Sequence, residues 1–153
     1  MPTPMEYKLA TQDFDRFLAD VATETNLGSR HQAYTTTQAV FLCFRRRLTL
    51  PQAIAFAQIL PAMLRALFVN HWDANEAQAD SWDWDLMRAE VKQLRVNHNF
   101  SPDTAIQDVA RVLRTYVEAR ELDRCLETLP ASARDFWSGI TPPARTPPRT
   151  DQA

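Results

Sequence analysis

Glycine is nearly absent from this sequence, since only Gly28 and Gly139 occur among its 153 residues. Phosphate-binding loops, dinucleotide-binding motifs and the nucleophile elbows of hydrolases each need several glycines, where the backbone approaches a ligand or turns sharply. The sequence therefore excludes these enzyme classes.

The sequence also lacks a basic excess. It contains 17 Lys and Arg against 19 Asp and Glu, which gives a formal net charge of −2. A protein that binds nucleic acid normally carries a marked positive excess, because it must displace the counterions of the phosphates. We therefore expect no nucleic-acid partner.

Cysteine is equally sparse, and Cys43 and Cys125 form no CxxC motif. Both are typical of small buried side chains in a reducing compartment. The N-terminus has no apolar segment of the kind found in signal peptides, so we expect a cytoplasmic protein. Residues 53–69 are apolar but shorter than a membrane span, and they contain Pro61 and Arg65, so we expect no membrane association.

The apolar residues that are present recur with the period of a helix, as in Phe14, Phe17, Leu18 and Val21. No alternating β-branched run between turn signals predicts a strand. The sequence therefore predicts an all-α fold, with helices at roughly 12–26, 29–48, 50–60, 61–70, 83–97, 101–117, 118–129 and 130–138.

Two prolines mark helix starts. Thr49 precedes Pro51 and is followed by Gln52 at the spacing of a capping box. Ser101 precedes Pro102 and is a favourable N-cap residue. The sequence therefore predicts helix caps at Thr49 and Ser101.

One nine-residue stretch occurs twice: LPAMLRALF at 60–68 returns as LPASARDFW at 129–137, with four identical positions. The same shift of 69 residues superposes Val40 on Val109 and Phe44 on Leu113. Each copy has more apolar face than it can cover alone. The sequence therefore predicts a single-domain helical bundle made of two tandem pseudo-symmetric repeats.

The predicted domain organisation follows from these segments. The chain divides into a disordered N-terminal segment (1–11), a duplicated helical domain (12–138) and a disordered Pro-rich tail (139–153). The helical domain comprises repeat 1 (about 12–70), an acidic Trp-rich linker (71–82) and repeat 2 (about 83–138).

Over residues 12–138 the chain resembles the bacterial domain-of-unknown-function family 2267. The resemblance is carried by RFLADVATETNL, HQAYTTTQAVFLCFRRRL, FAQILPAMLRALFVNHWD and LPASARDFW. It implies a duplicated helical fold and no particular activity. In that family a glycine usually stands where this chain has His71 and Arg120, which argues against tight turns at both places.

Side chains that bind metals or perform catalysis form no recognisable pattern. The three histidines, His31, His71 and His98, are scattered, and only His71 has a nearby acid, Asp73. We therefore predict no catalytic, cofactor-binding or metal-binding residue and no cofactor.

The segment 70–85 contains five acids and neither Lys nor Arg, but it lacks the glycine and final glutamate of a calcium loop. We interpret it as a solvated connector in which Asp83 and Asp85 favour the next helix N-terminus. Metal binding by this segment stays open.

Two further groups of residues, the tryptophans and an arginine run, are better explained by structural roles than by ligand binding. The tryptophans Trp72, Trp82, Trp84 and Trp137 are expected to cover the groove between the repeats. The run from Arg45 to Arg47 ends a long helix, where cations complement the helix dipole. An anion site there is the alternative interpretation.

The two copies differ in polarity at their last helix. Met63, Ala66 and Val69 in the first copy correspond to Ser132, Asp135 and Ser138 in the second. The extra apolar surface predicts a cover, which the Trp-bearing linker, a second subunit or another protein would supply. The candidate partner surface comprises Met63, Leu64, Leu67 and Phe68.

We therefore expect a protein-protein interaction or regulatory module rather than an enzyme. Its partner would be another protein or a second copy, bound through residues 60–72. The alternative is a small-molecule-binding protein or weak enzyme with a pocket between the repeats. That pocket would be lined by His71, Trp72, Asp73, Trp84 and Trp137.

Overall fold

All regular secondary structure is helical in the residues that the computed structural model describes, 2–94 and 101–142. Those ranges contain no strand, which confirms the all-α prediction. Their nine helices are α1 (Met5–Lys8), α2 (Ala10–Thr25), α3 (Arg30–Arg45), α4 (Leu50–Gln58), α5 (Ala62–Val69), α6 (Trp84–Gln93), α7 (Ala105–Leu113), α8 (Ala119–Glu127) and α9 (Ala131–Phe136).

The eight predicted helices correspond in order to α2 through α9. The structure adds α1, and α2 begins at Ala10, inside the segment 1–11 for which no helix was predicted. Glu6 and Lys8 lie in the first and last turns of α1, where their charges complement the helix dipole. Residues 95–97 of the predicted sixth helix and 143–153 of the predicted tail lie outside the described residues.

One predicted cap is confirmed and the other is wrong. The Thr49 hydroxyl accepts from the Gln52 amide at 3.4 Å, and Gln52 Oε1 accepts from the Thr49 amide at 2.9 Å, so the capping box is complete. Ser101 does not cap α7, which begins only at Ala105. Its buried hydroxyl instead lies 2.8 Å from that of Thr36, and this hydrogen bond ties the segment before α7 to α3.

The helices pack as one bundle. Helix α2 contacts both α3 and α7, and α3 also contacts α5, α6 and α7. Helix α4 contacts α5 and α8, while α9 contacts α7 and α8. Helices from both ends of the chain therefore enclose the same apolar core. No helix of the described ranges combines the length and apolar character needed to cross a bilayer.

Aromatic rings from both halves of the chain meet in the core. Trp137, which follows α9, is fully buried. Its ring centroid lies 6.1 Å from that of Phe41, 5.3 Å from that of Phe44 and 5.3 Å from that of Phe56. All three phenylalanines belong to α3 or α4, so a ring from the end of the chain fills the space between two helices near its beginning.

The Trp137 indole N–H has no hydrogen-bond partner within the described part of the chain, although it is buried. An unpaired buried donor costs roughly 1–3 kcal/mol. The ring also removes a large apolar area from water. Its position is therefore set by packing rather than by a polar contact.

We predict that Trp137→Ala lowers the free energy of unfolding by about 3–5 kcal/mol, the range for a large aromatic removed from a core. Trp84→Ala is the matched control, because Trp84 is only half-buried and stacks on Phe136 with centroids 6.2 Å apart. Its loss should cost less than half as much. Urea denaturation measures both values, and equal losses would contradict the central position of Trp137.

Candidate functional site

Buried charge is concentrated where α3 ends. We call this group the arginine cluster: Arg45, Arg46 and Arg47, with the carboxylates of Glu76 and Glu90. Arg45 is the last residue of α3 and Arg46 its C-cap. Glu76 lies in the connector before α6, and Glu90 lies on α6.

Arg47 is the most heavily hydrogen-bonded member. Its side chain is 1% exposed, and Nη1 and Nη2 donate to the two oxygens of Glu90 at 2.8 and 2.7 Å. Nε donates to the Ser81 carbonyl at 2.6 Å, and Nη1 also donates to the Cys43 carbonyl at 2.8 Å. The planar guanidinium group suits this arrangement because it carries several donors in fixed directions. Arg47 therefore joins α3, the connector and α6.

Arg46 holds the connector from the surface. Its Nε lies 3.1 Å from Glu76 and its Nη1 lies 3.5 Å from Glu90. The Arg46 carbonyl also accepts from the Ala79 amide at 2.8 Å. The acidic connector is thus ordered against the end of α3 by opposite charge and by a backbone hydrogen bond.

Arg45 is buried, with 3% of its surface exposed. Its Nη1 donates to the carbonyls of Phe68 and Asn70, at 2.9 and 3.0 Å. Its Cζ lies 5.1 Å from the ring centroid of Trp72, in a cation–π contact. Its Nε is buried without a hydrogen-bond partner in the described ranges. Burial lowers the pKa of Arg45, against the opposing charge of Glu76.

Two other groups have shifted pKa values for different reasons. Burial raises the pKa of the Cys43 thiol to about 12, so the thiol stays protonated and is a poor nucleophile. Burial also opposes ionisation of Glu90. The hydrogen bonds from Arg47 and the charges of Arg47 and Arg46 outweigh it and hold the pKa of Glu90 below its usual range.

Two cavities adjoin the cluster. One has a volume of about 150 Å³ and is lined by Arg45, Arg46, Trp72 and Glu76, together with Thr49 and Gln78. We call it the Trp72 cavity. The second has a volume of about 360 Å³, and its lining includes Arg45, Arg46, Cys43, His71 and Glu90.

The five residues predicted to line one inter-repeat pocket are not brought together. Trp72 and His71 line different cavities, and Asp73 is exposed and accepts from the Asn75 amide at 2.9 Å. Trp84 stacks on Phe136, and Trp137 is enclosed in the core. Phe136 and Trp137 pack against each other in the core, with ring centroids 5.2 Å apart.

His71 adopts the turn that the sequence comparison argued against. Its φ is 50°, in the left-handed region that glycine favours. A residue with a Cβ pays about 1 kcal/mol for this conformation. Arg120 lies within α8, where no left-handed residue is needed. The missing glycine therefore costs backbone strain at one position and nothing at the other.

The predicted partner surface divides between the core and the solvent. Leu64, Leu67 and Phe68 are 2%, 7% and 0% exposed, whereas Met63 is 37% exposed. The first three share one helix face that packs into the bundle. Of the four, Met63 alone is available to a partner.

The acidic connector supplies the N-cap of α6. Asp83 Oδ1 accepts from the amides of Asp85 and Leu86, at 3.0 and 3.1 Å, and so begins α6. This confirms the predicted N-terminal role of the acids. Within the residues described, no group of three or more His, Cys, Asp or Glu side chains is placed to hold a metal ion.

The buried roles of Arg45 and Arg47 were missed by the sequence interpretation, which assigned the arginine run to the helix dipole. The helical period contained a signal. Arg45 is four residues after Phe41, and Arg47 is four residues after Cys43, so both arginines lie on faces that Phe41 and Cys43 bury. Arginine on a core face indicates buried carbonyl or carboxylate partners.

Residues 14–136 match the model of a family described as "Uncharacterized conserved protein (DUF2267)". The chain belongs to the DUF2267 family. This confirms the resemblance that the helical segments suggested, and the whole arginine cluster of this DUF2267 protein lies inside the matched range. The comparison with curated proteins found no match.

From the arginine cluster of this DUF2267 protein we predict that its stability depends on pH. Because the folded pKa of Glu90 is depressed, its stabilising contribution is complete above the unfolded pKa and is lost as pH falls through the folded pKa. We expect Glu90→Gln to melt below wild type at pH 7, with the difference shrinking steadily as the pH is lowered towards 3.

The measurement is the melting temperature by circular dichroism at matched ionic strength. Glu127→Gln, on the exposed face of α8, is the control for removing a carboxylate elsewhere. A difference between wild type and Glu90→Gln that does not change with pH would contradict the ionic role of Glu90.

Proposed function

We propose that this DUF2267 protein is a self-assembling interaction module. Its contact surface is the solvent face of α5, formed by Met63, Ala66 and Val69, which we call the α5 face. Met63 is 37% and Val69 42% exposed, and Ala66 is also exposed. An apolar helix face turned to solvent favours a partner, because its burial releases water from apolar area.

We also infer that the two halves are tandem repeats. The α5 face of the first half can then be compared with the equivalent face of α9 in the second. Helix α8 begins and ends 69 residues after α4. Pro61 before α5 and Pro130 before α9 have nearly the same backbone angles, φ −55° and ψ 154° against φ −55° and ψ 151°. The shift that aligns the sequences thus also aligns these local geometries.

A second pair of contacts supports the repeat. Arg45 donates to the carbonyl of Phe68 at 2.9 Å, and Arg114 donates to the carbonyl of Trp137 at 2.6 Å. Donor and acceptor are each displaced by 69 residues. In both halves an arginine at the end of one helix, α3 or α7, therefore holds the end of the short helix that follows the proline.

Helix α9 lacks the apolar surface that α5 has. The positions equivalent to the α5 face are Ser132, Asp135 and Ser138. Asp135 is exposed, and the two serines are half-buried. The repeat fold therefore does not require apolar residues at these positions. Their presence on α5 is better explained by an intermolecular contact.

Helix α1 extends the apolar surface beside α5. The two elements are joined by an ion pair of 3.2 Å between Glu6 Oε1 and Arg65 Nη2. On either side of Glu6, Met5 is 66% and Tyr7 53% exposed. Because α5 has only eight residues and is about 12 Å long, it needs such a neighbour to approach the ~800 Å² per partner of a stable interface.

A shallow apolar cavity lies between α1, α2 and the start of α5. Its volume is about 30 Å³, and its lining includes Phe14, Phe17, Met63, Leu64 and Tyr116. This is room for the tip of one apolar side chain. Insertion of such a side chain is typical of the centre of a protein interface.

The occupant we propose is a second copy of this chain. The surface beside α5 contains Glu6 and Arg65, which pair with each other within one copy, and Asp13 lines the cavity next to them. A two-fold axis brings the same surface of two copies together, so the apolar residues of one copy would meet those of the other. A match of this kind does not require a different protein.

The test grafts the α9 surface onto α5 with Met63→Ser, Ala66→Asp and Val69→Ser. We expect wild type to be a dimer at tens of micromolar and the variant to be a monomer, measured by light scattering after size exclusion. Repeat equivalence predicts that the monomeric variant still melts cooperatively, because α9 already accepts these residues.

Arg134→Ser on the exposed side of α9 is the control and should stay dimeric. A wild type that remains monomeric at 1 mM would contradict self-assembly, and so would a triple α5 variant that stays dimeric. A variant that loses its cooperative melt would instead count against the equivalence of α5 and α9.

A further inference from the structure

We propose that the Trp72 cavity is a binding site for a small oxyanion, a carboxylate or phosphate group, recognised by Arg45 and Arg46. The cavity lies where α3 ends and the acidic connector begins, and its volume is about 150 Å³. All the residues named in its lining belong to the described part of the chain. The proposal uses residues other than those of the α5 face.

The first argument is an incomplete set of acceptors around Arg45. Only 3% of the surface of Arg45 is exposed, and two carbonyl oxygens accept hydrogen bonds from its Nη1. Its Nε–H has no acceptor among the described residues. A buried charged donor without an acceptor lowers the stability of the fold more than an unpaired neutral donor does. Nε itself is closed off from solvent, so an anion in the cavity would bind to Arg45 Nη2, for which the described residues provide no acceptor, and to Arg46.

The second argument is local charge. Three guanidinium groups face two carboxylates in the arginine cluster. Glu90 is engaged by Arg47 and Arg46, and Glu76 is engaged by Arg46. The hydrogen bonds of Arg45 within the described residues reach neutral carbonyls, and Glu76 acts on Arg45 through its charge without pairing with it. By formal count the five residues of the cluster carry one net positive charge, which a bound monoanion would neutralise.

The third argument is the character and size of the cavity. Thr49 accepts from the Gln52 amide, which leaves its own hydroxyl proton free to donate. Trp72 offers a flat ring beside the guanidinium plane. A volume of about 150 Å³ gives room for several waters, and so for inorganic phosphate or a short carboxylate.

The experiment is NMR on the full-length protein labelled with ¹⁵N-arginine and ¹⁵N-tryptophan. Sodium acetate and sodium phosphate are titrated separately, and sodium chloride at equal ionic strength is the reference. We expect the Arg45 Nε–H and Trp72 indole N–H resonances to move saturably with acetate or phosphate and not with chloride. The anion that produces the shift identifies the group recognised.

Two variants guard against indirect effects. Arg45→Lys assigns the Nε–H resonance and should abolish the saturable shift, but it removes a buried guanidinium and its fold must be verified. Arg46→Gln changes a half-exposed residue and should weaken binding about tenfold by charge loss. Arg88→Gln on α6, which pairs with Asp85, is the control and should leave the dissociation constant unchanged.

Three results would overturn the proposal. These are the absence of a saturable shift with either anion, equal shifts with chloride, and unchanged binding in Arg46→Gln. Equal shifts with chloride would identify an adventitious ion only.

Discussion

The fold depends on Trp137 entering a space between helices that lie far from it in sequence. Its ring is enclosed by Phe41 and Phe44 of α3 and by Phe56 of α4. Those rings would otherwise face water, and the hydrophobic effect drives their burial in proportion to that area. The halves are therefore not two domains in contact, because each completes the interior of the other.

Around this apolar centre, arginines fix the ends of helices. Arg45 and Arg114 hold carbonyls at the ends of α5 and α9, while Arg47 joins α3 to Glu90 of α6. Buried guanidinium groups are costly unless their donors are satisfied. Arg47 meets this condition more fully than Arg45, and this difference is the basis for placing an oxyanion beside Arg45. The apolar α5 face is a separate feature, since the core does not need it.

Local signals in the sequence predicted the local structure well. The capping box at Thr49 and the placement of Asp83 and Asp85 at the start of α6 depend on neighbouring residues, and both are confirmed. Properties set by tertiary contacts were not predictable in the same way. Ser101 bonds to Thr36 instead of capping α7, and Leu67 faces the core. A comparison of aligned residues reveals that two helices differ in polarity, but not which face of each meets water.

The most direct test separates the halves. We expect a fragment of residues 1–75 to have little stable helix and no cooperative thermal transition by circular dichroism, because its aromatic rings lack Trp137. An equimolar mixture with residues 76–153 should regain a cooperative transition. A fragment 1–75 that is monomeric, helical and cooperatively folded by itself would contradict the shared core.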